Sequence, residues 1–244
     1  MYAEPVGSLS PQALALWEEL HGADGGLRGP FLHPAYVRAV GQVRAGVEVG
    51  VITQKDEAVG FLPFQRSWLG VGGPVGSRLC DVAGAIVKPH VSWDPASFAC
   101  AVGLRTLRLP NVPAAMTAFA TFQRDDGASP LLDLSGGFEA YRRSRLASGS
   151  SFMSQLERKA RKLEREVGPM RFEWHTTDDK VFATLLSWKA AQRQQTRTPN
   201  ILHLPWAQAL IEHLRTHEGD DFGGVLSALY VGDTLAAAHF GLRT

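Results

Sequence analysis

Two cysteines in 244 residues cannot build a disulfide framework, and neither Cys80 nor Cys100 belongs to a CxxC or Cys/His pair at zinc spacing. Both read as small buried hydrophobes. No window approaches the roughly 20 uninterrupted apolar residues of a bilayer-crossing helix. The opening Met1-Tyr2-Ala3-Glu4-Pro5 lacks the basic-then-apolar order of an export signal, so the expected compartment is the cytosol. An excess of one charge is missing too. Lys and Arg number 25 against 24 Asp and Glu, a formal net charge of +1, so no global field draws the chain onto nucleic acid or anionic lipid. No repeat recurs at a period of about 20 to 50 residues, which removes solenoids and propellers. What is present, 45% hydrophobic and 20% charged residues, suits a globular chain with one large core or two modest ones.

Helix and strand patterns alternate along the first half. Ser10-Pro11 is an N-cap followed by proline at the first helical position, and Leu14, Trp17 and Leu20 follow at helical spacing until Gly22. A shorter helix starts at Pro34, with Tyr36, Val37 and Val40 on one side. Val47 to Thr53 and Ala58 to Phe64 are β-branched and aromatic around the polar Lys55-Asp56-Glu57, which predicts a hairpin. Leu79 to Val87 is short and apolar, as a buried strand would be. Asp94-Pro95 opens another helix, and Leu107 to Leu109 reads as a brief strand. A further helix is expected from Asn111, carrying Met116, Phe119 and Phe122, with a strand at Leu131 to Leu134. Ser135-Gly136-Gly137 is the best boundary between halves.

The second half opens with its most charged region. Phe138 to Leu146 is helical in character, and a longer helix is expected from about Ser154 to Val167, with Leu156, Ala160, Leu163 and Val167 on one stripe. A strand at Arg171 to His175 follows, then a helix from Asp178 to Gln195 burying Val181, Phe182, Leu185 and Trp188, and another from Pro205 to His217. Strands Val225 to Val231 and Thr234 to Leu242 flank the turn Gly232-Asp233. The two halves share enough of one plan to predict two α/β lobes.

Several motifs point away from common chemistries. Gly70 to Gly76 leads through Ser77-Arg78 into an expected strand, not into the helix that a phosphate loop requires. His213 and His217 have metal-ligand spacing but no HExxH and no third ligand, which fits a wet helix margin. No GxSxG elbow, catalytic carboxylate pair or Cys/His dyad is present. The basic run Arg142, Arg143, Arg145, Arg158, Lys159, Arg161, Lys162 and Arg165 can hold a diphosphate, a nucleotide-linked sugar or RNA. Interleaved Glu157, Glu164 and Glu166, with Glu157 four residues before Arg161, favour a solvated ion-paired face over these ligand readings. Tyr141 and Phe152 are the only aromatics beside these charges, which makes nucleic acid the weaker ligand.

Pro30-Phe31-Leu32-His33-Pro34-Ala35-Tyr36, Gly60-Phe61-Leu62-Pro63-Phe64, the helix Leu156 to Glu164, Trp188-Lys189-Ala190-Ala191-Gln192 and Ala236 to Arg243 together resemble bacterial acetyltransferases of the CelD/BcsL type. The resemblance covers essentially the whole chain. It implies an α/β fold of mixed sheets in tandem GNAT-like lobes, 1–135 and 136–244, related to the FemABX aminoacyltransferases. It also implies an acyl-CoA-dependent N- or O-acyltransferase of cellulose or exopolysaccharide synthesis, with acetyl-CoA or another acyl-CoA as donor substrate and no metal. The acceptor would be a small or saccharide-linked molecule, and association with envelope machinery would be peripheral. On this resemblance the pyrophosphate loop follows a fourth strand, which the second lobe does not reach before Thr244, so a truncated and inactive lobe is an expectation. His239 is the acid–base candidate, sharing a strand face with Leu235, Ala237 and Gly241; a histidine satisfied within the sheet is the other reading. Lys189, Gln192, Arg193 and Arg197, at a helix end that shapes the acceptor pocket in GNAT proteins, become substrate-binding candidates, as do Arg158, Arg161 and Lys162. A FemABX-like aminoacyl-tRNA-dependent ligase and a non-catalytic scaffold module stand as alternatives.

Overall fold

The computed structural model describes residues 1–23, 29–217 and 219–244. The chain is a mixed α/β protein. It forms two compact units, each drawn from separate stretches of sequence. The first unit combines Met1–Gln123, Ala183–Val225 and Phe240–Thr244; the second combines Arg124–Phe182 and Leu226–His239. Ser135 lies within the first stretch of the second unit.

The first unit is organised by one hairpin. In chain order it contains β1 (Tyr2–Pro5), α1 (Pro11–Ala23), α2 (Pro34–Val43), β2 (Val47–Gln54), β3 (Glu57–Arg66), β4 (Val71–Gly73), β5 (Ile86–Val87), α3 (Pro95–Ala101) and β6 (Thr106–Leu107). These strands form a six-stranded sheet in the order β1-β2-β3-β4-β6, with β5 also on β3. All pairs are antiparallel except β4 with β6. Lys55 and Asp56 both take positive φ, +51° and +64°, the conformation that a two-residue turn needs to match strand twist. Glu57 therefore opens β3 opposite Gln54.

The ladder slips between Ile52 and Thr53, leaving Val59 as the extra residue of a bulge. Val49, Val51 and Phe61 join a cluster with Trp17, Tyr36, Val37 and Val40. Ile52, Val59, Leu62 and Phe64 join a second cluster with Phe98 and Leu104. Covered on both faces, β3 is buried without interruption from Val59 to Phe64. The Trp17 ring stacks on Phe61 at 5.4 Å, and its indole N–H donates to the Leu32 carbonyl at 3.1 Å. Glu48 on β2 and Arg66 on β3 form a two-pronged ion pair with both contacts at 2.7 Å, and Arg66 also donates to the Val102 carbonyl just after α3.

His33 caps α2, its Nδ1 accepting the Ala35 N–H at 3.1 Å ahead of Pro34. Its ring stacks on Phe222 at 5.0 Å and meets His21 edge-on at 4.9 Å. The His33 pKa is lowered to about 4, chiefly by burial, with His21 and His217 adding to the shift and Asp221 opposing it.

The remaining elements are α4 (Phe138–Ala147), α5 (Phe152–Glu166), β7 (Met170–Glu173), α6 (Asp179–Gln195), α7 (Pro205–Thr216), β8 (Gly223–Val231) and β9 (Thr234–Arg243). The last three strands form a sheet in the order β7-β8-β9. In the second unit β7 pairs antiparallel with β8, with Arg171 over the Tyr230 ring, and the Ser227 hydroxyl donates to the Trp174 carbonyl at 2.8 Å. In the first unit α7 packs on α2 and buries Ala207, Leu210, Ile211 and Leu214. No helix among the described residues is long and apolar enough to cross a membrane.

Several expectations need correction. The run from Leu79 contributes only Ile86 and Val87 to the sheet; Asp81 interrupts it, and at Gly84 the backbone passes so close to Met116 that a Cβ would lie 2.2 Å from its sulfur. The helix expected from Asn111 is a single 3-10 stretch, Thr117–Phe122, with Phe122 exposed. No strand forms at Leu131 to Leu134, where Leu131 is 91% exposed and has no neighbouring strand to pair with. Trp188 is exposed rather than buried, and Cys100 is exposed while Cys80 is buried.

Two stability predictions follow from this packing. A Cβ at Gly50 would sit 2.1 Å from the Phe98 ring, so Gly50→Ala should destabilise by roughly 1–3 kcal/mol, read as a lower midpoint in urea. Between its ordinary value of 6.5 and about 4, His33 binds protons more readily in the unfolded chain. Stability should therefore be full above 6.5 and fall toward pH 4 by about 3 kcal/mol. His33→Asn, which retains a capping side chain, should flatten that pH dependence in urea melts at pH 4.5 and 7.

Candidate functional site

Helix α6 carries Lys189, Gln192 and Arg193 of the residues singled out by sequence, and Arg197 follows just beyond its end. Its start is fixed at Asp178, whose carboxylate accepts the Lys180 N–H at 2.7 Å. The far end closes within its own backbone. The N–H groups of Thr196, Arg197 and Thr198 donate to the carbonyls of Gln192, Gln194 and Arg193 at 3.0, 3.3 and 3.1 Å. Arg197 takes a left-handed φ of +53°, a conformation that costs a non-glycine residue roughly 1–2 kcal/mol. Three residues on, the Asn200 side-chain oxygen accepts the Leu202 N–H at 3.1 Å and starts the 3-10 turn Ile201–His203. Gln208 on α7 donates to the Leu202 carbonyl at 2.8 Å, which holds the far side of the loop.

Between helix end and loop, within the first unit, lies an open cleft of about 530 Å³. Ala190 and Ala191 contribute small side chains, leaving Arg193, Gln194, Arg197, Thr198, Asn200 and His203 to set its chemistry. Arg193 spends one guanidinium N–H on the Thr198 hydroxyl at 3.2 Å, and that oxygen lies 2.8 Å from the Thr196 hydroxyl. The Asn200 amide nitrogen is buried without a hydrogen-bond partner. Such an orphan donor costs roughly 1–3 kcal/mol unless something fills the space before it. No carboxylate is among the lining residues, so donors outnumber acceptors.

The other sequence candidates stand elsewhere. Lys189 and Gln192 are exposed on α6 and do not line the cleft. Arg158, Arg161 and Lys162 are exposed on α5 in the second unit. Glu157 pairs with Arg142 of α4 at 2.9 Å instead of with Arg161, while Lys162 reaches Glu166 at 3.8 Å. His239 is exposed on β9, the edge strand of its sheet, with no hydrogen-bond partner among the described residues. The fourth and fifth strands that the resemblance places around a thioester are not part of this three-stranded sheet, so no residue is assigned to the acyl-CoA pyrophosphate.

Two other groups lie apart from the cleft. Burial pushes the Cys80 thiol up to about 11, with Asp81 adding to the shift and a hydrogen bond to Val82 opposing it, so it is not a thiolate nucleophile near neutrality. His213 and His217 lie 6.1 Å apart between ring centres, and no metal-holding cluster exists among the described residues. Sequence reasoning reached Arg193 and Arg197 but missed Thr198, Asn200 and His203. The signal available was Pro199-Asn200, a turn pair ahead of the proline that starts α7.

Comparison with known proteins bears on the second part of the chain. Residues 150–244, from just before α5 to beyond β9, match the family described as Acetyltransferase (GNAT) domain. No curated protein and no solved structure matches the chain. This stretch is similar to GNAT-type acetyltransferase domains, which places its likeness in the general acyltransferase superfamily.

Proposed function

We propose that the chain is an acyl-CoA-dependent N- or O-acyltransferase of bacterial polysaccharide or envelope synthesis, built from two GNAT-like lobes divided near Ser135. The observation that carries this reading is the GNAT match over 150–244. The order strand, helix, helix, strand, strand from β7 to β9 within that stretch supports it. Acetyl-CoA or another acyl-CoA is the donor.

In the reaction, an acceptor amine or hydroxyl forms a bond to the thioester carbonyl carbon. The carbon–sulfur bond then breaks, and the thiol leaves with a proton. An imidazole is suited to take the acceptor's proton and return it to sulfur, because its ordinary pKa lies close to neutrality. His239 holds that role. Its ring is exposed and unengaged on the sheet edge, so it is open to an incoming molecule.

Acetyl-CoA should raise the thermal midpoint of the full chain, by the equivalent of about 2.7 kcal/mol at 100 times Kd. His239→Gln should lower acetyl transfer to an amine or sugar acceptor by roughly 10²–10⁴-fold with an unchanged melting curve. An unaltered rate would move the proton transfer to another group. Steeply salt-dependent RNA binding in place of acetyl-CoA binding would favour a FemABX-like ligase, and binding of neither would leave a scaffold module.

A further inference from the structure

We infer that the cleft at the end of α6 is an oxyanion-binding site, taking a phosphate-monoester or carboxylate group carried on a larger molecule. As the acceptor's subsite it deepens, and rests on, the acyl-transfer reading; as an anion site it stands on its own geometry.

Donor accounting is the first support. A lone pair of arginines at a helix end has an ordinary use, since cations there offset the negative end of the helix dipole and cap its last carbonyls. Here the carbonyls of Gln192, Arg193 and Gln194 are already taken by the N–H groups of residues 196–198. The Arg193 and Arg197 guanidiniums are thus released from capping, and neither has an ion-pair partner among the described residues. Arg193 commits one N–H, to Thr198, which leaves most of its fork available.

Asn200 is the second, independent support. Its oxygen is occupied by the Leu202 N–H, which fixes the amide's orientation, and its nitrogen is a buried donor without an acceptor on a residue that lines the cleft. Two guanidinium forks and an oriented amide are the recognition chemistry of a group with several acceptor oxygens and negative charge. The cleft is open to solvent, and its volume of about 530 Å³ leaves room for a body attached to the charged group.

The test uses the full chain labelled with ¹⁵N, titrated with inorganic phosphate and separately with malonate while sodium chloride holds ionic strength constant. Saturable shifts at the Asn200 side-chain amide and the Thr198 and Arg197 backbone amides are expected. A phosphate preference assigns a phosphate ester, and a malonate preference assigns a carboxylate. Arg193→Gln with Arg197→Gln should weaken the preferred probe at least tenfold. Asn200→Asp, which preserves the Leu202 cap but sets a carboxylate against the anion, should abolish binding with an unchanged melting curve. Absence of saturable shifts with both probes, or undiminished affinity in both variants, overturns the inference. Acetyl-CoA titrated into the same samples separates the two readings. Acetyl-CoA binding with no anion response removes only the subsite, whereas an anion response without acetyl-CoA binding removes the acyl-transfer assignment and leaves the subsite.

Discussion

The last turn of α6 satisfies its carbonyls with the backbone that follows it, and the chemistry of the candidate cleft depends on that closure. A helix ending in water would draw on nearby cations to complete its hydrogen bonding, and Arg193 and Arg197 would be structural groups. Because residues 196–198 curl back through a left-handed Arg197, the guanidiniums are freed and the chain is directed toward Asn200. Strained backbone at a non-glycine position persists where surrounding contacts over-determine it, and functional sites are where such strain gathers. Here the Asn200 cap and the Gln208 contact supply that surrounding support.

What could be read from the sequence tracks how local each determinant is. The helix after Ser10-Pro11, the one after His33-Pro34 and the hairpin around Lys55-Asp56 were legible because cap, proline and turn chemistry lie within a few residues of the element they shape. Leu131 to Leu134 carried strand composition without a partner to pair with, and of Leu79 to Val87 only Ile86 and Val87 found one, on β3; pairing is a property of distant sequence. The same division governs the cleft. Arg193 and Arg197 stand out as charges at a helix end, whereas the isolation of the Asn200 nitrogen exists only once the loop has folded against α7.

Periodicity on α5 shows the limit of pattern reading from another side. The stripe Leu156, Leu163 and Val167 has the spacing of a core-facing helix, yet all three are exposed. Glu157 does not follow the one-helix rule either, since it turns to Arg142 across the α4–α5 pair, whereas Lys162 keeps its i,i+4 contact with Glu166. An i,i+4 preference worth a few tenths of a kcal/mol yields readily to a two-nitrogen contact from a neighbouring helix.

The seating of α7 on α2 has a practical meaning for dissection of the chain. The stretch that matches the GNAT family begins at residue 150, but the apolar side of α7 within it is completed by a helix encoded more than a hundred residues earlier, and Phe222 meets His33 in the same way. Excising the matched stretch would strip Leu210 and Leu214 of their cover and hand a wet hydrophobic ridge to solvent. The family segment and the residues that solubilise it are therefore one purchase, and biochemical study of either calls for both.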